Sequence, residues 1–328
     1  MQGVSVKAFA KVNISLEVKG KQPDGYHEIE TLFHGICLHD MVTLTKRAEG
    51  IDLACEGGSP GLPDGQGNLA WRAADLLRRA YPDKVGGVAI HLDKRIPMEA
   101  GLGGGSADAA AVLLGLDRLY GLDLNEGELK GIAPRLGSDV AFCLAPLAGV
   151  GRGRGEILEP IDSRLCLWIV LVKPPFGLSA GEVYSRWRPS GDKGEAGLAT
   201  ALLDGVRSNQ PGVVMGAMFN DLEAPASALD QRLADHRDWI YEAAASLGHK
   251  AYRVMLCGSG STIAVFYSDE RLAAQLAERL REGPGSVAGS VGADRMIEHT
   301  GIEPGLAQIL LARTLTRADM EGRIVTLL

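Results

Sequence analysis

What the chain lacks narrows it first. Basic residues are not in excess: 34 lysines and arginines stand against 41 aspartates and glutamates, a formal net charge of −7. Such a surface offers no broad positive field to nucleic acid or an anionic membrane, so a bound polyanion needs a local site. Long apolar runs are missing too. Stretches such as "CLWIVLV" from Cys166 fall far short of the ~20 residues that span a bilayer. The five cysteines, Cys37, Cys55, Cys143, Cys166 and Cys257, include no pair at metal-ligand or redox spacing, which reads as reduced, mostly buried thiols. No opening segment joins a basic region, an apolar run and a cleavage site, so a cytoplasmic protein is expected. No internal repeat is visible.

What remains is ordinary globular composition, 46% hydrophobic and 23% charged over 328 residues, enough for about two domains. The alternating run from Val4 to Gly20 predicts a strand, or a strand with a break, ending in the Pro-Asp-Gly turn of "QPDGYHE". Strand character continues through "IETLFHGICLHDMVTLTKR" and "IDLACEG". Asn68 is placed to cap a helix through "LAWRAADLLRRAY", and Asn125 with Glu128 forms a capping-box pattern. "GVAIHLDKRIP" reads as a strand running into a glycine-rich loop. After about Gly177 the texture turns helical, followed by strand, Gly-Ser turn and strand at "YRVMLCGSGSTIAVFY", then a helix and a strand at "GSVAGSVGA". Strands early, helices in the middle and a late strand-turn-strand-helix predict an α+β fold with two lobes. The expected divisions are residues 1–160, residues 161–295 and an extra tail, 296–328, read as one amphipathic helix with a short strand. "RPSGDKGEAG" is the expected flexible insertion.

The stretch "IPMEAGLGGGSADAAAVLLGLDRLY" puts bare backbone at the mouth of a helix. Helix N-termini carry unpaired N–H groups and partial positive charge, and glycine lets an anion approach them closely. Gly101 to Ser106 is therefore a candidate phosphate cradle, with the Ser106 hydroxyl at the junction available to a phosphate or a metal ion. A Walker A loop is excluded because no lysine lies between Lys94 and Lys130. The dinucleotide fingerprint fails at Ser106, where it needs a third glycine or alanine. A simple flexible turn is the alternative these residues leave open.

"PMEAGLGGGSADAAA", "AFAKVNISLEV", "PDGYHEIETLFHGICLHD", "LGSDVAFCL", "NDLEAPA" and "MLCGSGSTIAVF" together resemble the kinase superfamily of galactokinase, homoserine kinase and the mevalonate kinases. The similarity runs from about residue 4 to 292. It implies a two-lobe fold of the GHMP kinase type, with an N-terminal lobe of ribosomal-S5-like character and a C-terminal α/β sandwich lobe. It implies transfer of the γ-phosphoryl group of ATP, with Mg2+, to an alcohol. "AKVN" followed by "DGYHE" points within the superfamily to the 2-hydroxyl of a cytidine-diphosphate-linked methylerythritol, in the non-mevalonate route to isoprenoid precursors. Mevalonate or homoserine as acceptor, or a silent nucleotide-binding regulator, are the alternatives.

The resemblance also assigns residues. Asp139 is the implied base and Lys11 its partner; without it, Asp139 reads equally as a helix N-cap and Lys11 as an outward strand residue. Asn13, on the same strand face as Lys11, is placed with the acceptor. Tyr26, His27 and Tyr184 fall at the cytidine end. Pro97, Met98, Gly101, Leu102, Gly103, Gly104, Gly105 and Ser106 fall on ATP, with Asn68 towards the adenine. No protein ligand to the metal is assigned beyond Ser106. Arg154 departs from the pattern, standing where a smaller or apolar residue is expected beside the acceptor; it either touches the diphosphate or faces solvent. Expected partners are the two small molecules, with no nucleic acid or membrane and a monomer or weak homodimer.

Overall fold

Two long strands set the frame. β1 (Gly3–Lys21) and β2 (His27–Arg47) run antiparallel and are joined by the predicted turn, where the Asp24 carboxylate accepts from the Tyr26 amide and Gly25 takes φ +89°. The computed structural model describes residues 3–57, 61, 63, 65–189, 200–283 and 307–327. β1 has no break, but its register on β2 shifts between Phe9 and Lys11, between Asn13 and Ser15, and between Val18 and Gly20. Each bulge disturbs strict alternation, and residues 8–16 are all buried.

β3 (Ile51–Gly57) lies parallel to β4 (Gly87–Lys94), which pairs antiparallel with β2. Between them, α1 (Leu69–Ala80) starts at Asn68, whose side chain accepts from the Ala70 amide as a cap should. α2 (Gly104–Tyr120) packs on α1, β1 and β2 and is buried almost all round. Its alanines and Gly115 permit this: a Cβ on Gly115 would lie 2.4 Å from Leu44 Cδ1. The helix begins at Gly104 with Gly103 as its left-handed cap, two residues earlier than predicted, so Ser106 sits inside the first turn rather than at the junction. α3 (Glu126–Ile132) carries the predicted Asn125–Glu128 capping box, and the short α4 (Val140–Leu144) follows Asp139. The hairpin β5 (Ala148–Arg152) and β6 (Ile157–Pro160) extends the other half of β2.

The second sheet starts with β7 (Trp168–Lys173). α5 (Ala180–Arg186), α6 (Thr200–Arg207) and α7 (Pro211–Ala217) follow, then β8 (Phe219–Asn220), which adds a short parallel pairing to β1. α8 (Glu223–Leu229) and α9 (Arg232–Ser246) lead to β9 (Arg253–Leu256), β10 (Ile263–Tyr267) and the Asp269-capped α10 (Glu270–Arg281). The described part of the tail departs from expectation. Instead of one amphipathic helix with a short strand it holds two strands around a short helix, β11 (Gln308–Arg313), α11 (Arg317–Glu321) and β12 (Ile324–Leu327). β11 completes the second sheet, ordered β11-β7-β10-β9 and antiparallel throughout, while β12 pairs with β1 in the first. The physical reason is that each tail segment finds an open edge, whose unpaired N–H and C=O groups a strand satisfies and a helix does not. The strand expected at 285–293 and most of the insertion at 188–197 lie outside the described residues. Two apolar clusters result: one runs from α1, α2 and the first sheet onto one face of the second sheet, and the other packs on the second sheet's opposite face with Leu16, Val18 and Ile29 of the first. Helices and sheets share these layers in an α+β arrangement. Among the described residues no helix is long and apolar enough to cross a membrane.

Candidate active site

The bulge in β1 turns Lys11 inward. Its main-chain amide donates to the Leu102 carbonyl at 3.0 Å, docking the glycine-rich loop on the strand. Its ammonium, almost fully buried, lies 3.4 Å from Asp139 Oδ2, donates to Asn13 Oδ1 at 3.0 Å and stands 5.3 Å from the centre of the Phe33 ring. Asn13 Nδ2 donates to Thr31 Oγ1 at 2.7 Å, and Thr31 passes the bond to the Ser15 carbonyl at 2.6 Å. A buried ammonium needs compensation, and this chain of bonds fixes its position as well as its charge. Asp139 occupies the N-cap position of α4, yet its side chain makes no capping bond. The carboxylate faces Lys11 and is 28% exposed, so the capping alternative is not the one this residue takes.

Two cavities meet at the loop. One, of about 640 Å3, is lined by Lys11, Asn13, Tyr26, His27, Asp139 and Tyr184, with Lys21, Phe33 and Arg154 in its wall. The other, of about 540 Å3, is lined by Asn68, Pro97, Met98 and every residue from Gly101 to Ser106. Gly101, Gly103, Ser106, Ala180 and Ser259 border both. The positions marked in the sequence are thus brought together, as two neighbouring sets. Leu102 takes part through its main chain, since its side chain is buried in the core. Asn68 is held by its cap bond and by donation to the Pro63 carbonyl at 3.0 Å.

The loop is shaped by what lies behind it. Gly101 has φ +72°, and a Cβ there would sit 1.8 Å from the Cys257 carbonyl oxygen; Gly103 has the same φ, with its Cβ position 3.1 Å from Lys11 Cγ. Cys257 opens the second glycine-rich turn, which joins β9 to β10 as a hairpin and also backs the loop: Ser261 N–H donates to the Glu99 carbonyl at 3.2 Å.

The larger cavity has an aromatic wall. The His27 and Tyr184 rings stand 5.3 Å apart, with Trp187 edge-on to His27 at 5.8 Å. Burial, helped by nearby Lys21, lowers the His27 pKa, which favours the neutral imidazole. Tyr184 is pushed above the usual phenol range by burial, with Asp139 adding to it. Tyr26 is 57% exposed. Arg154 does not face bulk solvent alone: its guanidinium stacks 3.7 Å from the Tyr26 ring centre and pairs with Asp24.

Sequence reasoning missed a buried cluster beneath the smaller cavity. Lys94 pairs with both Asp40 and Asp108, and Asp40 also accepts from the Ile96 amide at 2.8 Å. Burial opposes the Lys94 charge, but Asp108 and Asp40 outweigh it and raise its pKa; burial pushes Asp108 up to about 8. One cation cannot fully balance two carboxylates in a dry site. No local pattern gives this away, because the three residues are distant in sequence and each is unremarkable alone. Among the described residues no group of three or more histidine, cysteine, aspartate or glutamate side chains is arranged to hold a metal ion.

Comparison with known proteins places these features. Residues 68–146 match the model of the GHMP kinases N terminal domain, and residues 216–284 that of the GHMP kinases C terminal domain. The 4-diphosphocytidyl-2-C-methyl-D-erythritol kinase of Moorella thermoacetica is 39% identical over 284 residues, covering 86% of this chain and 96% of that protein. The protein of that name from Synechocystis is 38% identical, covering 84% and 90%. A crystal structure of 4-(cytidine 5'-diphospho)-2C-methyl-D-erythritol kinase superposes with a TM-score of 0.71 at 33% identity, over 95% of this chain and all of that one. Homoserine kinase from Cytophaga hutchinsonii, 18% identical with a TM-score of 0.64 over 86% and 90% of the two chains, shares the fold. The chain belongs to the 4-diphosphocytidyl-2-C-methyl-D-erythritol kinase family, within the GHMP kinases.

Proposed function

We propose that this protein transfers the γ-phosphoryl group of ATP to the 2-hydroxyl of 4-diphosphocytidyl-2-C-methyl-D-erythritol. The observation that carries the reading is the position of the Lys11–Asp139 pair, in the larger cavity at its border with the glycine loop. ATP occupies the smaller cavity, its phosphates against the loop amides and the start of α2. The acceptor occupies the larger one, with its cytosine between the Tyr26, His27 and Tyr184 side chains and its methylerythritol unit at Asn13, Lys11 and Asp139.

Phosphoryl transfer is mostly positioning and charge stabilisation. Asp139 takes the proton of the 2-hydroxyl as that oxygen bonds to the γ-phosphorus and the bond to the ADP oxygen breaks. Lys11 holds the carboxylate and offsets charge on the moving group. The donor set suits a magnesium ion held largely by phosphates and water: the Ser106 hydroxyl is the group the chain would offer it, and when bound it neutralises phosphate charge. Two soluble phosphorylated reactants support a cytoplasmic role.

The test is ADP release from purified protein with ATP and magnesium, offering the cytidylated methylerythritol beside mevalonate and homoserine. Release with the first compound alone is expected. Release with either of the others, or with none, overturns the reading.

A further inference from the structure

The tail contributes one side chain that neither cavity uses. Arg323 precedes β12 and is 4% exposed. A buried guanidinium must find partners for its donors, and here they are backbone carbonyls. Nη1 donates to Leu144 O and Nη2 to Cys143 O, each at 2.6 Å, and Nε donates to Lys7 O at 3.1 Å. The main chain repeats the link, since the Lys7 amide donates to the Arg323 carbonyl at 2.9 Å. The Phe9 ring centre lies 5.9 Å from the guanidinium carbon. Burial lowers the group to about 10, which leaves it charged at neutral pH.

Both anchor points lead to the reacting centre. Lys7 precedes Lys11 by four residues on β1. Cys143 and Leu144 end α4, which starts directly after Asp139, and the Cys143 amide donates to the Asp139 carbonyl at 3.1 Å. A five-residue helix has little stability of its own, its closing carbonyls lack intrahelical partners, and a cation at that end is favourable. Its placement is set by what grips its two ends.

We propose that Arg323 is a positioning residue for the phosphoryl transfer: it ties the C-terminal end of α4 to β1, and so holds the Asp139 carboxylate at its working distance from the Lys11 ammonium. The proposal rests on the assignment of Asp139 and Lys11 above. Neither matched family region, 68–146 nor 216–284, includes this residue.

Arg323→Gln and Arg323→Lys, made in the full chain beside Asp139→Asn, test it. The measurements are melting temperature, kcat, the KM for ATP and for the cytidylated acceptor, and hydrogen exchange of the peptide covering 139–145. The glutamine variant is expected to lose roughly 10–100-fold in kcat, because small misplacements of reacting groups are that costly. Both KM values should stay within about twofold, since the binding walls are untouched, while α4 exchanges faster. Lysine, which keeps the charge and fewer of the bonds, should recover part of kcat. A folded glutamine variant with unchanged kcat overturns the inference, as does a loss confined to KM. If glutamine does not fold, the lysine variant decides by the same criterion; if neither folds, Arg323 anchors the whole fold and positioning is overturned. Retained turnover in Asp139→Asn would instead sink the base assignment, whatever the Arg323 variants do.

Discussion

The two cavities that meet at Gly103 and Ser106 are built from different materials. No aromatic or histidine side chain lines the smaller one, which is walled mainly by main chain, glycines and small or aliphatic residues, with Lys94, Glu99 and Asp108 as its charged lining. The larger one carries Tyr26, His27, Phe33 and Tyr184, with Lys11, Lys21 and Arg154 facing Asp24 and Asp139. Phosphate groups are common to every nucleotide, and backbone amides bind them whatever the side chains, provided nothing is in the way. A pyrimidine ring and a chosen hydroxyl need side chains of particular shape and charge. One cavity is therefore sensitive to added atoms and the other to deleted ones.

Four experiments would break or sharpen that contrast. Asp139→Asn keeps shape and removes the base, so kcat should fall by about 10²–10⁴-fold with ATP affinity intact; steady-state rates beside direct nucleotide titration check it, and unchanged turnover removes Asp139 from the chemistry. Gly101→Ala adds one carbon to the other cavity. Left-handed strain and collision with the Cys257 carbonyl together cost about 2–6 kcal/mol, read as weaker ATP binding or a lower melting temperature. Normal values for both would show that the loop accepts a side chain.

A histidine outside both cavities supplies a control. His34 is fully buried, with its ring nitrogens against the Gly35 carbonyl and Ser163 Oγ, and burial lowers its pKa from 6.5 to about 4. Between those values the unfolded chain binds the extra proton and the folded one does not. Stability is thus lost as pH falls from 6.5 towards 4, by about 3 kcal/mol for this group. Denaturant titrations across that range should show the slope, and His34→Gln should flatten it; an equal slope in the variant assigns the acid sensitivity elsewhere. The smallest effect belongs to His27→Ala, which gives up one ring of the aromatic wall. Acceptor KM should rise by about 2–10-fold with ATP KM unmoved, and a change confined to ATP would exchange the two cavities' roles.

Features that depend on neighbours in sequence were open to reading. The cap at Asn68, the Asn125–Glu128 box and the Pro-Asp-Gly turn rest on contacts within three residues, and alternation and turn chemistry give β1, β2 and the β9–β10 hairpin. Lys11 is different: alternation alone leaves it facing out, and the bulge that buries it depends on pairing with β2. Asp139 reads equally as a helix cap from the sequence, and only its position in the fold shows that its side chain leaves the helix amides alone. The tail and the Lys94–Asp40–Asp108 cluster were hidden for one shared reason. Their partners are distant in the chain, and a local pattern carries no information about which open edge or buried charge a segment will meet.

The pairing of β12 with β1 has a bearing on how the chain is made. Gly3 lies opposite Leu327 and Val6 opposite Ile324, so this end of β1 keeps one edge bare until more than three hundred further residues have been made. Further along that edge the Leu102 carbonyl takes the Lys11 amide and β8 pairs with Ser15 and Leu16, but neither reaches residues 3–6. Contacts of such long separation slow folding and leave strand edges exposed to other chains. Nascent chains stalled before residue 324 should therefore be more open to protease and chaperone around β1 than chains released with β12 in place.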